Sequence, residues 1–199
     1  MSTQRSWQVL LLGGASGVGK TSVSYRLAEY YGVGMTELDD FQAILERMTS
    51  PEQYPVVHLW RTRPDEVFAM NDDLSLAHTL AYAHVMATAL EPVIANHLER
   101  QTPLVLEGDF ILPSVAVRSA YDDVVADEQV RAVFLYEDEH QLALNDHARE
   151  GEEQSQRAHS SWRYSEWLRG EAERLGLPTV AARPWETVLE RVIGALGEG

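Results

Sequence analysis

Gly14-Ala15-Ser16-Gly17-Val18-Gly19-Lys20-Thr21 follows the pattern G-x-x-x-x-G-K-[ST] without a mismatch. Residues of these types in this order suit one task, cradling a polyphosphate. The glycines let the backbone fold back so that successive N–H groups converge on phosphate oxygens, and the helix that follows adds the positive end of its dipole. Lys20 supplies a mobile charge for the β- and γ-phosphates, Thr21 supplies a hydroxyl for Mg²⁺, and Ser22 completes the loop. With 13 Gly and one Lys in the chain, chance matches are expected at roughly one in two thousand. Every other cation among the 16 Lys+Arg is an arginine, so the single lysine stands at the one place where this pattern needs it. The expected ligands are ATP and Mg²⁺.

Other residues supply the remaining chemistry of phosphoryl transfer. Asp39 and Asp40 follow a short strand read over 34–38. A carboxylate there can accept or orient the proton of an acceptor hydroxyl. Either acid can instead cap the helix beginning at Phe41. Asp39, read as the last strand residue, is the first choice for the functional acid and Asp40 the second. Glu107 ends another apolar run and is the expected metal partner of Thr21, with Asp109 beside it at the acceptor end. Arg149 and Arg157 flank Gly151 in a polar stretch, where a closing segment would bring cations to the transferring group. Arg61 and Arg63, near His58 and Trp60, suit an anionic acceptor. Trp185, after Arg183-Pro184, is placed to cover the nucleotide base. The seven histidines show no spacing that makes a metal site.

These side chains require a scaffold of alternating strands and helices. Apolar runs at 9–12, 104–108, 132–136 and 179–182 read as buried parallel strands, with a further strand at 34–38. Helical spacing covers Lys20 to Tyr31, Phe41 to Met48, and 65–100 with a core stripe of Leu74, Ala77, Ala81, Val85 and Ala89. A short helix is expected near 114–120, a polar helical stretch from 139 to 175 broken near Gly151, and a last helix over 184–196. Residues 50–64, with three prolines, read as an irregular connection. The pattern predicts an α/β fold, a three-layer α/β/α P-loop NTPase with a five-stranded parallel sheet and a helical lid. One domain spans 1–199, with an acceptor-binding helical insertion at about 50–100 and a lid at about 139–175.

Composition narrows the class. Against 16 Lys+Arg stand 31 Asp+Glu, a net charge of −15 that disfavours nucleic acid as a partner. The chain has no cysteine, so disulfides and thiolate chemistry are excluded. No run reaches the roughly 18 apolar residues of a membrane span, and no signal core precedes Val9, so a cytoplasmic protein without a membrane partner is expected. The oligomeric state is left open, a homodimer being one option. A GTPase would need Asn-Lys-x-Asp, which a chain whose one lysine is Lys20 cannot contain.

Gly13 to Ser22, Leu106-Glu107-Gly108 and the run from Ser161 to Ile193 together resemble the bacterial and archaeal 2-phosphoglycerate kinase-like P-loop proteins. In those proteins a helix bearing tyrosine and arginine precedes a Gly-x-Pro turn and the last strand, as Tyr164, Arg169 and Gly176-Leu177-Pro178 do here. Leu38-Asp39-Asp40-Phe41 is similar to the Asp-Asp-Phe segment of the uridine kinase group, which implies that Asp39 or Asp40 stands near an acceptor hydroxyl. Both resemblances imply ATP-dependent phosphorylation of a small molecule. The expected acceptor is a phosphoglycerate-like or other hydroxy acid. The alternatives are a nucleoside or antibiotic phosphotransferase and a nucleotide-sensing module without catalysis.

Overall fold

The structure, a computed structural model, describes residues 5–151 and 155–197. β1 (Val9–Gly13), β2 (Gly34–Glu37), β3 (Leu104–Gly108), β6 (Val130–Tyr136) and β7 (Thr179–Ala181) form a parallel sheet in the order β2-β3-β1-β6-β7. β1 and β3 are buried along their whole length, which is why they read as unbroken apolar runs: helices cover both faces of the sheet. α1 (Lys20–Tyr31) packs with α9 (Val188–Ala195), while α5 (Asp72–Arg100) packs with α8 (Ser155–Arg174) across the sheet. The core joins the central strands to Leu27, Met86, Leu90, Ile94 and Leu168. Among the described residues no helix is long and apolar enough to cross a membrane.

Several expectations need correction. α2 (Leu38–Met48) starts three residues before Phe41, so β2 ends at Glu37 and Asp39 is not a strand residue. Asp39 and Asp40 both lie in the first turn of α2, where a helix dipole favours acids, and neither is its N-cap. The connection at 50–64 is largely helical: α3 (Pro55–Thr62) and α4 (Pro64–Phe68) each open on a proline. A proline at the first helical position loses no hydrogen bond and arrives with its φ preset, so it starts these helices instead of breaking them.

The buried stripe of α5 is Tyr82, Met86, Leu90, Ile94 and Leu98, with Leu74 and Ala81 exposed. Small residues on several faces blurred the period, and Pro92 is absorbed within the helix. The helix expected near 114–120 is shorter (α6, Pro113–Ala116), and a hairpin of β4 (Ala120–Tyr121) and β5 (Val124–Val125) follows it. The 139–175 stretch divides as expected into α7 (Glu139–Glu150) and α8, with Gly151 left-handed at φ 75°. The last helix opens with a 3₁₀ turn, Trp185–Thr187, before α9.

Candidate active site

The pieces converge at the carboxyl ends of the central strands, the edge where ligands of doubly wound sheets collect. After β1 the loop folds back into α1 through Gly19, which caps the helix in the left-handed region at φ 89°. An L side chain is strained there, and a Cβ would also meet Trp185 Cη2 at 2.5 Å. Lys20, the first residue of α1, is 6% exposed. Its Nζ donates to Ala15 O at 3.0 Å and pairs with the Asp109 carboxylate. Thr21 Oγ1 donates to Glu107 Oε1 at 2.8 Å.

The β1–β3 register explains how these residues meet. Gly13 stands opposite Gly108, so Glu107 and Asp109 emerge beside the loop that Gly13 begins. β2 then sets Glu37 opposite Glu107 and leads directly into the turn that carries Asp39. Residues 16–22, Asp39, Glu107, Asp109 and Trp185 line one cleft of about 630 Å³.

Its electrostatics are acidic on one wall. Burial raises the pKa of Glu107, opposed by the Lys20 charge and the Thr21 hydrogen bond. Asp39 reaches solvent at the rim, yet desolvation by the cleft walls is the largest cause raising its pKa, followed by the charge of Asp109, with Lys20 opposing. Behind this wall Tyr82 packs its ring on Phe110 at 4.5 Å between centroids. Burial, then the charges of Glu46 and Asp39, push the Tyr82 phenol upward.

The opposite end of the cleft is held by a polar bridge that nothing in the sequence pattern marked. Asn145 on α7 donates to Gly17 O at 2.9 Å and accepts from Arg183 Nη2 at 3.3 Å. The Arg183 guanidinium lies 5.4 Å from the Trp185 ring centroid and 3.8 Å from the buried Glu137 carboxylate. Burial is the main cause raising the Glu137 pKa. Asn145 sits in a polar helix without distinctive neighbours, so only the folded chain reveals it. Tyr164, quoted above for a resemblance, donates its hydroxyl to Asp109 O at 3.0 Å and anchors the loop after β3.

The remaining expected residues lie elsewhere. Gly14 and Ala15 are buried at the base of the loop, Ala15 presenting its carbonyl to Lys20. Asp40 is exposed and does not line the cleft. Arg61 and Arg63 are exposed outside the cleft, and Arg63 pairs with Glu66 at 3.1 Å. His58 is buried against Thr49 at 3.0 Å, and Trp60 meets Phe68, so the cluster expected around an anionic acceptor is dispersed. Arg157 is exposed on α8 and does not line the cleft. Arg149 lies in the last turn of α7, with its side chain outside the described residues.

The donor set fits a magnesium nucleotide. A hydroxyl paired with a carboxylate offers the oxygens that Mg²⁺ prefers, with the remaining positions left to water and phosphate. The loop and Lys20 match a triphosphate, and Trp185 adds an aromatic ring to the cleft lining.

No family model matches the chain, and no curated protein matches it. Solved structures do. A sugar kinase from Janibacter sp. HTCC2649, in an unliganded structure, is 18% identical with a TM-score of 0.56, covering 97% of this chain and 96% of that one. Shikimate kinase from Acinetobacter baumannii, in complex with shikimate, is 12% identical with a TM-score of 0.56, covering 96% and 94%. A gluconokinase from Sinorhizobium meliloti 1021 is 22% identical with a TM-score of 0.50, covering 96% and 91%. The five-stranded parallel sheet with flanking helices is thus the fold of P-loop small-molecule kinases, and the finer likenesses to 2-phosphoglycerate kinase-like and uridine kinase proteins find no counterpart among these neighbours.

Proposed function

We propose that this protein is a kinase transferring the γ-phosphate of MgATP to a hydroxyl of a small molecule. The observation that carries the reading is one cleft lined by Lys20, by Thr21 hydrogen-bonded to Glu107, and by Asp39 and Asp109. The acceptor oxygen attacks the γ-phosphorus, the bond from that phosphorus to the β–γ bridging oxygen breaks, and ADP leaves with the electron pair. The hydroxyl proton passes to Asp39. Lys20 and the loop N–H groups hold the phosphates in line, and most of the rate comes from this positioning and charge stabilisation. Mg²⁺, held through Thr21 and Glu107, would neutralise charge on the β- and γ-oxygens. Trp185 covers the base side, and Arg149 and Arg157, flanking Gly151, are the cations a closing segment would add to the transferring group.

Gluconokinase and shikimate kinase bear the names of hydroxylated acids, and the 2-phosphoglycerate kinase-like resemblance points the same way. The side chains at the acceptor end favour the second reading, a phosphotransferase for nucleosides or cationic antibiotics, because carboxylates stand there and Arg61 and Arg63 do not. The test is ADP formation from MgATP against sugar acids, polyols, nucleosides and amino sugars. Acceptor-dependent ADP formation is expected. Tight MgATP binding without any acceptor-dependent turnover would replace the kinase with the nucleotide-sensing module.

A further inference from the structure

The only lysine of the chain is engaged in this structure by a carboxylate: Lys20 Nζ pairs with Asp109, beside Asp39. A triphosphate in the loop competes for the same ammonium. As Lys20 turns to the phosphates, Asp109 loses its counter-charge while standing close to Asp39 and to the incoming γ-phosphate. Among the described side chains lining the cleft, the other cation is Arg183, and it is committed to the base side through Asn145 and Glu137. The Thr21–Glu107 pair accounts for the metal.

A second feature lies close by, in the packing around Phe110. Tyr82 is 3% exposed and its hydroxyl is buried without a hydrogen-bond partner. Its ring packs on Phe110, the residue after Asp109, within electrostatic reach of Asp39 and Glu46. A buried phenol left without an acceptor is a stored cost unless a ligand oxygen completes it.

We propose that the acceptor is a hydroxylated amine, whose ammonium takes the place that Lys20 leaves beside Asp109 and Asp39 and whose oxygen receives the Tyr82 hydroxyl. This rests on the kinase reading above. Nucleotide and amine then bind cooperatively. The nucleotide draws Lys20 from Asp109 and creates the cation site, and by linkage the amine tightens nucleotide binding by the same factor.

The test is calorimetric, with the non-hydrolysable analogue MgAMPPNP at saturating Mg²⁺. Its probes are hydroxylated amines (ethanolamine, serinol, glucosamine), the neutral sugar glucose and the acid gluconate. At least one amine is expected to bind the nucleotide complex about fivefold or more tighter than the nucleotide-free protein, a coupling of ordinary size, and glucose and gluconate are expected to show none. Asp109→Asn removes the competitor for Lys20, so MgAMPPNP alone should bind as tightly or more tightly, while amine coupling disappears. Tyr82→Phe should weaken the amine in the nucleotide complex and leave MgAMPPNP alone unchanged.

Absence of coupling for every amine overturns the inference, as does coupling for gluconate or glucose alone. Weaker MgAMPPNP binding and a raised Mg²⁺ requirement in Asp109→Asn would assign Asp109 to the metal instead and also overturn it. Turnover of a neutral or anionic acceptor would leave the kinase reading standing and remove only the amine. Failure of MgAMPPNP to bind the wild-type protein would remove the kinase reading itself.

Discussion

Gly108 stands between the two acids of the cleft and directly under the helix that carries a third, so its replacement by alanine tests whether the sheet edge positions the chemistry. An added Cβ would lie 3.0 Å from Leu38 Cδ2, 3.2 Å from Leu38 Cγ and closer still to Leu38 Cβ. Leu38 is 1% exposed and opens α2, so a clash at its Cβ cannot be relieved by turning the end of a flexible side chain. The first turn of α2 must move away from β3 by about an ångström to restore contact. Overpacking of this kind costs about 1–3 kcal/mol. At about 2–4 °C per kcal/mol for a chain of this size, Tm should fall by about 2–12 °C.

The larger effect is on turnover. Asp39 follows Leu38 and moves with it, and a displacement of about 1 Å at a reacting centre costs on the order of 100-fold in rate. The phosphate loop is attached to β1 and α1, so affinity for MgATP should change far less than kcat. Thermal denaturation, nucleotide titration and initial rates on one preparation of Gly108→Ala measure all three quantities. A variant with wild-type kcat and a lowered Tm would refute the claim that α2 places the reacting acid. An unchanged Tm would refute the packing argument beneath it.

Lys20→Met removes a charge that makes about two charge-assisted contacts to phosphate, each worth about 1.5–3 kcal/mol. MgATP affinity should therefore fall at least about 100-fold by titration, and kcat with it. In the proposed reaction Asp39 must be ionised to take the proton, and its pKa lies above the ordinary carboxylate value. The acid limb of kcat/KM should accordingly appear above pH 3.8, activity falling as pH drops through the raised value. Asp39→Asn should remove that limb together with most of the rate.

On the far side, His159 of α8 joins Glu139 of α7 at 2.7 Å and Asp72 of α5 at 3.2 Å, and these hydrogen bonds raise its pKa above 6.5. Arg163, one turn along α8, adds a pair with Asp73 at 3.0 Å. The stabilisation from His159 is complete below pH 6.5 and is lost as pH rises through the folded-state value. The urea midpoint of the wild type should thus exceed that of His159→Gln at pH 6, with the difference shrinking as pH rises through the raised folded-state value. A constant difference would show that the contact is packing and not charge.

The loop and the strands were legible in the sequence because each depends on local pattern. A buried parallel strand is a short unbroken apolar run, and the phosphate loop needs glycines and a lysine at fixed spacing. Glu107 and Trp185 could be placed from their positions at strand ends. What escaped depends on packing across the sheet. The Lys20–Asp109 pair follows from the β1–β3 register, which sequence does not display. Asn145 reaches Gly17 across 128 positions, and Tyr82 meets Phe110 only because the buried stripe of α5 differs from the one its small residues suggested. Pro55 and Pro64 read as breaks, whereas the folded chain uses them as helix starts. Arg61 and Arg63 read as acceptor cations from their neighbours in sequence, but Arg61 lies in the last turn of α3 and Arg63 caps it, and both are exposed to solvent.

Phosphoryl transfer from the loop nucleotide to an acceptor hydroxyl is observed directly by ³¹P NMR of MgATP with the acceptor panel. A new phosphate-ester resonance should grow in step with ADP, require one acceptor class, and be absent with Lys20→Met. ADP and inorganic phosphate appearing at a rate indifferent to every acceptor, or an ester formed equally by Lys20→Met, would contradict it.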